Sequence, residues 1–130
     1  NGERIHVSDT PDLLDAIITV SWMPDRAGRE QFVRIVERVN ERTTYFRRIG
    51  SAATVLSYVA AGRCDGYIQA GINPWDVAAG VLLIQEAGGV VTDFHGQELD
   101  VLKPKIDMVA GTPGVHESLM TEVMQDNWDS

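Results

Sequence analysis

Several protein classes need features of which this chain has little. A single cysteine, Cys64, stands among 130 residues, so no intrachain disulfide can form and a reducing compartment is the easier fit. Basic residues are scarce as well. Eleven Lys and Arg against 19 Asp and Glu give a formal charge of −8 and a pI near 4.7, which argues against general binding to nucleic acid or an anionic membrane, since both select basic surfaces. No apolar run reaches transmembrane length, and the opening residues NGERIHVSD lack the apolar centre of a signal peptide. A cytoplasmic address is therefore expected by default. The three histidines, His6, His95 and His116, show no metal-ligand spacing and no Ser-His-Asp arrangement. All three read as surface or turn residues, and Cys64 as a packing residue.

Hydrophobic residues make up 44% of the chain, enough for one domain with a real core. Strand-like and helix-like patterns alternate along it. Ala16 to Trp22 (AIITVSW) reads as a buried strand, and Gly28 to Glu41 as a helix whose apolar stripe is Phe32, Ile35, Val36 and Val39. Thr43 to Ile49 suits a strand. Ser51 is then a good N-cap for a small-residue helix, Ala52 to Ala61, which Gly62 closes. Strands follow at Asp65 to Gln69, Val90 to Phe94 and Asp107 to Ala110, with helices from Pro74 to Ala87 and from Thr112-Pro113 to about Gln125. This order predicts a layered α/β domain with a largely buried sheet, whose functional edge lies where strands hand over to helix N-termini.

Two handovers carry suggestive chemistry. In NPWDVAAGVLLIQEAGG (Asn73 to Gly89), Asn73 is a suitable N-cap, Pro74 suits the first helical position and Gly88 the C′ position. Val77, Ala78, Val81, Leu82, Leu83 and Ile84 are apolar almost all round, so the helix is expected to be largely buried, with Ala79 and Gly80 small enough for close approach of a neighbour. Asp76 in its first turn has two readings. It stabilises the positive end of the helix dipole, or it faces a cation and an anion together, for which Mg²⁺ and phosphate are the obvious pair. Gly50-Ser51-Ala52-Ala53 is either a capped helix start or a stretch whose backbone N–H groups approach an oxygen-rich ligand. Trp22, Trp75 and Trp128 read as packing residues, with Trp75 also a candidate wall of a pocket.

PWDVAAG (Pro74 to Gly80) followed by QEAGGVVTDFHG (Gln85 to Gly96), together with IGSAATVLSYVAAGRCDGY (Ile49 to Tyr67) and HVSDTPDLLDAIITV (His6 to Val20), resembles the C-terminal half of the inositol monophosphatase family. The resemblance implies an αβαβα sandwich, of which residues 1–130 would be a single C-terminal portion. It implies an enzyme, a Mg²⁺-dependent phosphomonoesterase acting on inositol monophosphate or a related sugar or alcohol phosphate through metal-activated water. By the same resemblance Asp76 is a metal ligand that also touches substrate, Gly50, Ser51 and Ala52 line the substrate pocket, and a homodimer is implied.

Two departures bear on this. Gln69 stands where inositol-specific members carry a glutamate, and a neutral amide both donates and accepts. Histidinol phosphate, fructose 1,6-bisphosphate or a nucleotide 3′-phosphate therefore stay open as substrates. The family's DP-hydrophobic-DGT metal motif occurs nowhere in residues 1–130, so the resemblance makes an N-terminal half of the same enzyme a required partner. Without it the chain alone is expected to be inactive, and a non-catalytic protein-binding module is the alternative from a different class. Glu86, about 15 Å further along the helix axis, is too far from Asp76 to share one Mg²⁺. Capping or pairing near the helix end is its expected role, while Asp65 and Asp93 are placed near turns or strand ends.

Overall fold

The computed structural model describes residues 5–11, 13–22, 26–43, 45–47 and 51–125. Its first strand, β1 (Ile17–Trp22), is buried along almost its whole length, as a strand covered on both faces must be. The amphipathic stripe of α1 (Arg26–Arg42) packs against it, with Ile35 and Val39 fully inside. There follow β2 (Tyr45–Arg47), α2 (Ala52–Ala60), β3 (Gly66–Ile72), a single 3₁₀ turn (Pro74–Asp76), α3 (Ala78–Glu86), β4 (Val90–Thr92), β5 (Ile106–Gly111) and α4 (Pro113–Ser118). A π-helical turn, Leu119–Val123, continues α4. None of these helices is long and apolar enough to cross a membrane.

The five strands form one sheet in the order β2-β1-β3-β5-β4. Strands β2, β1 and β3 run parallel, and β5 is antiparallel to both of its neighbours. Helices α1 and α4 cover one face around Ile18, Val20, Ile68 and Val109. Helices α2 and α3 cover the other around Tyr67, Met108 and Ala110. The result is a helix–sheet–helix sandwich, the layered α/β domain expected from the alternation of patterns.

Two helix ends are set by glycine where the sequence places it. Gly62 after α2 and Gly88 after α3 both have positive φ, 78° and 93°, and their neighbours return N–H groups to the last turns: Arg63 N to Tyr58 O at 2.8 Å and Gly89 N to Ile84 O at 2.9 Å. Gly80 is the point where α2 and α3 touch, since a Cβ there would lie 2.6 Å from Leu56 Cδ1 and 2.8 Å from Leu56 Cβ.

Helix α3 departs from expectation in two ways. The segment from Pro74 is not one helix: Asp76 N bonds Asn73 O at 3.0 Å and Val77 N bonds Pro74 O at 3.2 Å, which closes a 3₁₀ turn, and Val77, at φ −123°, separates it from the α-helix. Nor is it largely buried. Ile84 is enclosed, but Trp75 is 74% exposed and Leu82 58%, because among the described residues α3 packs chiefly on α2 and β4. The end of the sheet far from that turn is fastened by Asp65, just before the central strand β3. Its buried carboxylate accepts the Ser8 hydroxyl and the Ile17 N–H, the latter at 2.7 Å. Its backbone N–H donates to Ile17 O and its carbonyl accepts from Thr112 N.

Candidate functional site

The chain leaves β1 toward β2 on one side and leaves β3 toward β5 and β4 on the other. Adjacent parallel strands whose continuations diverge leave a crevice beyond their C-terminal ends, the position where open α/β sheets bind ligands. A cleft of ≈ 360 Å³ occupies it. Ser21 and Trp22 reach it from the end of β1, Ser51, Ala52 and Ala53 from the start of α2, Gln69, Gly71 and Ile72 from the end of β3, and Asn73 and Asp76 from the turn beyond.

Four of the candidate residues, Ser51, Ala52, Gln69 and Asp76, thus lie in one cleft although 25 positions separate the first from the last. Gly50 lies outside the described residues. Ser51 caps α2, its hydroxyl accepting from Thr54 N at 3.3 Å, while Ala52 and Ala53 belong to the first turn, whose N–H groups have no intrahelical acceptor. Asp76 is exposed, with Asn73 Nδ2 3.4 Å from Oδ2. Asn73 therefore turns its amide to the carboxylate and makes no side-chain cap bond. Gln69 is buried beneath the cleft, its Oε1 accepting from the Tyr67 hydroxyl and its Nε2 donating to Gly71 O at 2.9 Å. Burial pushes the Tyr67 phenol well above its ordinary value, so it stays a donor to Gln69.

Ser21 and Trp22 escaped the sequence reading of the site. They stand beside Gln69 and Ala70 in the parallel register of β1 and β3, and Trp22 packs on Phe32 with ring centroids 3.8 Å apart. The signal was available, since the C-terminal end of a predicted parallel strand is itself a ligand-binding position. Trp75 is corrected in the opposite sense: among the described residues it is 74% exposed and does not line this cleft.

The other titratable candidates do not converge on Asp76. Asp93 Oδ1 accepts from His95 N at 2.8 Å and Gln97 N at 2.9 Å, a turn-stabilising role. Glu86 is exposed at the far end of α3, and its carboxylate makes no hydrogen bond or ion pair among the described residues, so the expected capping or pairing is not seen there. Cys64 packs inside, its thiol pushed up by burial and bonded to Ile17 O and Gly66 O, each at 3.3 Å. His116 is a correction: it is buried, not on the surface, and Nε2 lies 2.8 Å from Thr92 Oγ1. The same hydroxyl also lies 2.9 Å from the Asp93 carbonyl.

Among the described residues no three His, Cys, Asp or Glu side chains gather as a metal site. Asp76 by itself fits a shared hard cation: it is an exposed oxygen donor at an open cleft, and Mg²⁺ takes one or two carboxylates together with water and phosphate oxygens. It does not make a complete centre.

The sequence pattern of the "Inositol monophosphatase family" matches residues 1–129. The Nus factor SuhB of Escherichia coli is 40% identical over 132 aligned residues, covering 100% of this chain and 48% of that protein. A fructose-1,6-bisphosphatase/inositol-1-monophosphatase of Thermotoga maritima is 44% identical over 98 residues, 75% of this chain and 36% of its own length. Among solved structures, extragenic suppressor protein suhB of Bartonella henselae superposes with TM-score 0.85 at 33% identity, and inositol monophosphatase of Anabaena with 0.84 at 38%. The fit covers 98% of this chain in both cases and 49% and 52% of those chains. The chain therefore spans about half the length of the relatives it matches, and by sequence and fold it belongs to the inositol monophosphatase family.

Proposed function

We propose that this chain supplies one side of the active site of a phosphomonoesterase that hydrolyses inositol monophosphate or a related sugar or alcohol phosphate. The observation that carries the reading is the switch-point cleft in which an exposed carboxylate, Asp76, stands beside the small-residue start of α2. The phosphate rests against the first turn at Ser51 and Ala52, with Gly50 preceding it, where unpaired N–H groups and the helix dipole favour an anion. Asp76 is the catalytic carboxylate of this chain, held by the Asn73 amide and shared with Mg²⁺. When bound, Mg²⁺ supplies charge neutralisation on the phosphoryl oxygens and activation of water. Carboxylates from an N-terminal part of the protein complete its ligand set, and that part covers the apolar side of α3. Gln69 has one N–H and one lone pair uncommitted, enough to pair with a substrate hydroxyl. Histidinol phosphate, fructose 1,6-bisphosphate and a nucleotide 3′-phosphate are the alternative substrates.

Phosphate release from a panel of these esters, with Mg²⁺ and the full-length protein, tests the reading. Asp76→Asn is expected to cost more than the roughly 10–100-fold typical of losing an outer-shell partner, with an unchanged unfolding midpoint. Wild-type turnover in that variant would sink the assignment. A second reading, a non-catalytic protein-binding module, draws on the exposed apolar side of α3 and on the E. coli relative's being called a Nus factor. It predicts that no ester on the panel is hydrolysed by the full-length protein.

A further inference from the structure

Tyr67 and Gln69 stand two apart on β3 and so share one face of the strand. Both are buried. Beyond them β3 carries one residue more than its partner: Gln69 faces Met108 and Ile72 faces Ile106, so three steps on β3 are answered by two on β5. The surplus lies at Ala70 and Gly71, with Gly71 at φ +80°, the left-handed conformation that a glycine bulge uses. Ile68 and Ala70 belong to the core beneath α1 and α4, and strict alternation would send Ile72 there too. Ile72 lies instead with Tyr67 beneath α2 and α3.

A chain of hydrogen bonds joins the two buried side chains to this bulge. The Tyr67 hydroxyl donates to Gln69 Oε1, and Gln69 Nε2 donates to Gly71 O at 2.9 Å. Its two ends differ in character. A backbone carbonyl only accepts, so the amide turns its nitrogen to Gly71 and its oxygen to Tyr67. Burial keeps the Tyr67 hydroxyl protonated, and therefore able to donate. A flipped amide would set oxygen against oxygen at Gly71.

Gln69 also lines the cleft that holds Asp76, beside Ser21 in the register of β1. Held at both atoms, its amide offers the cleft one N–H and one lone pair in set directions. Held at Gly71 alone, it turns about its terminal bond, a torsion with a broad minimum. A ligand hydroxyl then pairs with a group that must first be ordered, and that ordering weakens binding.

We propose that Tyr67 is a positioning residue for selectivity: by donating its hydroxyl to Gln69 Oε1 it holds the Gln69 amide in the orientation that pairs with a substrate hydroxyl. The inference rests on the reading of this cleft as a phosphatase site in which Gln69 meets such a hydroxyl. In the full-length protein, Tyr67→Phe removes one oxygen and little volume. The kcat/KM for the hydroxyl-bearing ester turned over fastest is expected to fall about 3–10-fold, the scale of one hydrogen bond. For phenyl phosphate, which has no hydroxyl to pair, it should move less than about twofold. Gln69→Leu should lower the same selectivity, and Tyr67→Phe added to it should change it by less than about twofold further, because Tyr67 acts through Gln69. Hydrogen exchange of the Gln69 side-chain N–H, followed by NMR, should quicken in Tyr67→Phe.

Unchanged selectivity in Tyr67→Phe would overturn the proposal, as would equal loss on both esters or losses that multiply in the double variant. If the wild-type protein hydrolyses no ester, the phosphatase reading fails, and exchange alone decides the positioning role. Quickening of the Gln69 N–H then supports it, and no change overturns it. If Tyr67→Phe fails to fold, the wild-type protein decides: a Tyr67 hydroxyl proton slow to exchange supports the proposal, and one that exchanges as in an exposed tyrosine overturns it.

Discussion

At the scale of single residues, the acids of this chain divide by what they hold. Asp65, buried at the end of the strands opposite the cleft, joins the Ser8 hydroxyl, the entry of β1 and the exit of β5. Asp65→Ala leaves the Ile17 N–H without its acceptor, and urea unfolding should show a loss of about 1–3 kcal/mol. His116 carries a pH signature. Burial lowers its pKa from 6.5, so between that value and the lower folded one the unfolded chain binds a proton that the folded chain does not. Stability is then complete above about pH 6.5 and falls as pH drops through that window. His116→Gln should remove this part of the acid sensitivity, seen as a smaller shift of the urea midpoint between about pH 7.5 and 5.5. Asp107 has the opposite sign. Its raised pKa means a stability gain present below 3.8 that is lost as pH rises through the folded value.

At the scale of elements, the contact between α2 and α3 is decided at Gly80. Alanine there gains about 1 kcal/mol of helix propensity, but its methyl meets Leu56, and overpacking costs about 1–3 kcal/mol. A net loss in thermal or urea unfolding is expected for Gly80→Ala. Sequence pattern exposed most of this level, because local chemistry acts locally. Ser51, Gly62, Gly88 and Thr112 cap the helices at which they stand in the sequence. The apolar stripe of α1 faces the sheet as its spacing requires. What stayed hidden depends on partners far along the chain. The bulge at Gly71 exists only against β5, the burial of His116 depends on β4, and the exposure of Leu82 depends on what packs over α3. The sequence candidates that share the cleft were legible for the same reason as the caps. Ser51 and Asp76 sit at element starts, whereas Ser21 and Trp22 sit at a strand end that carries no distinctive residue type.

At the scale of the molecule, a closed core on both faces of the sheet coexists with exposed apolar residues on α3 and the turn before it, where Trp75, Leu82 and Leu83 are 74%, 58% and 36% exposed. Patches of that kind mark contact surfaces. Trp75 should emit at long wavelength in the isolated chain and shift to shorter wavelength in the full-length protein, with Trp75→Phe isolating its share of the signal. An unchanged spectrum would mean that nothing covers this side.

The extra residue in β3 has a consequence for how such a chain can vary in length. Surface loops accept insertions and deletions at small cost, and the irregular stretch between β4 and β5 is of that kind. Between Gly66 and Gln69, ahead of that extra residue, the register with β5 is unbroken, and removing one position there turns the side chains next to it to the opposite face of the sheet. Spacing along this stretch is as much a determinant of the site as residue identity, and a one-residue deletion there would do more harm than most substitutions.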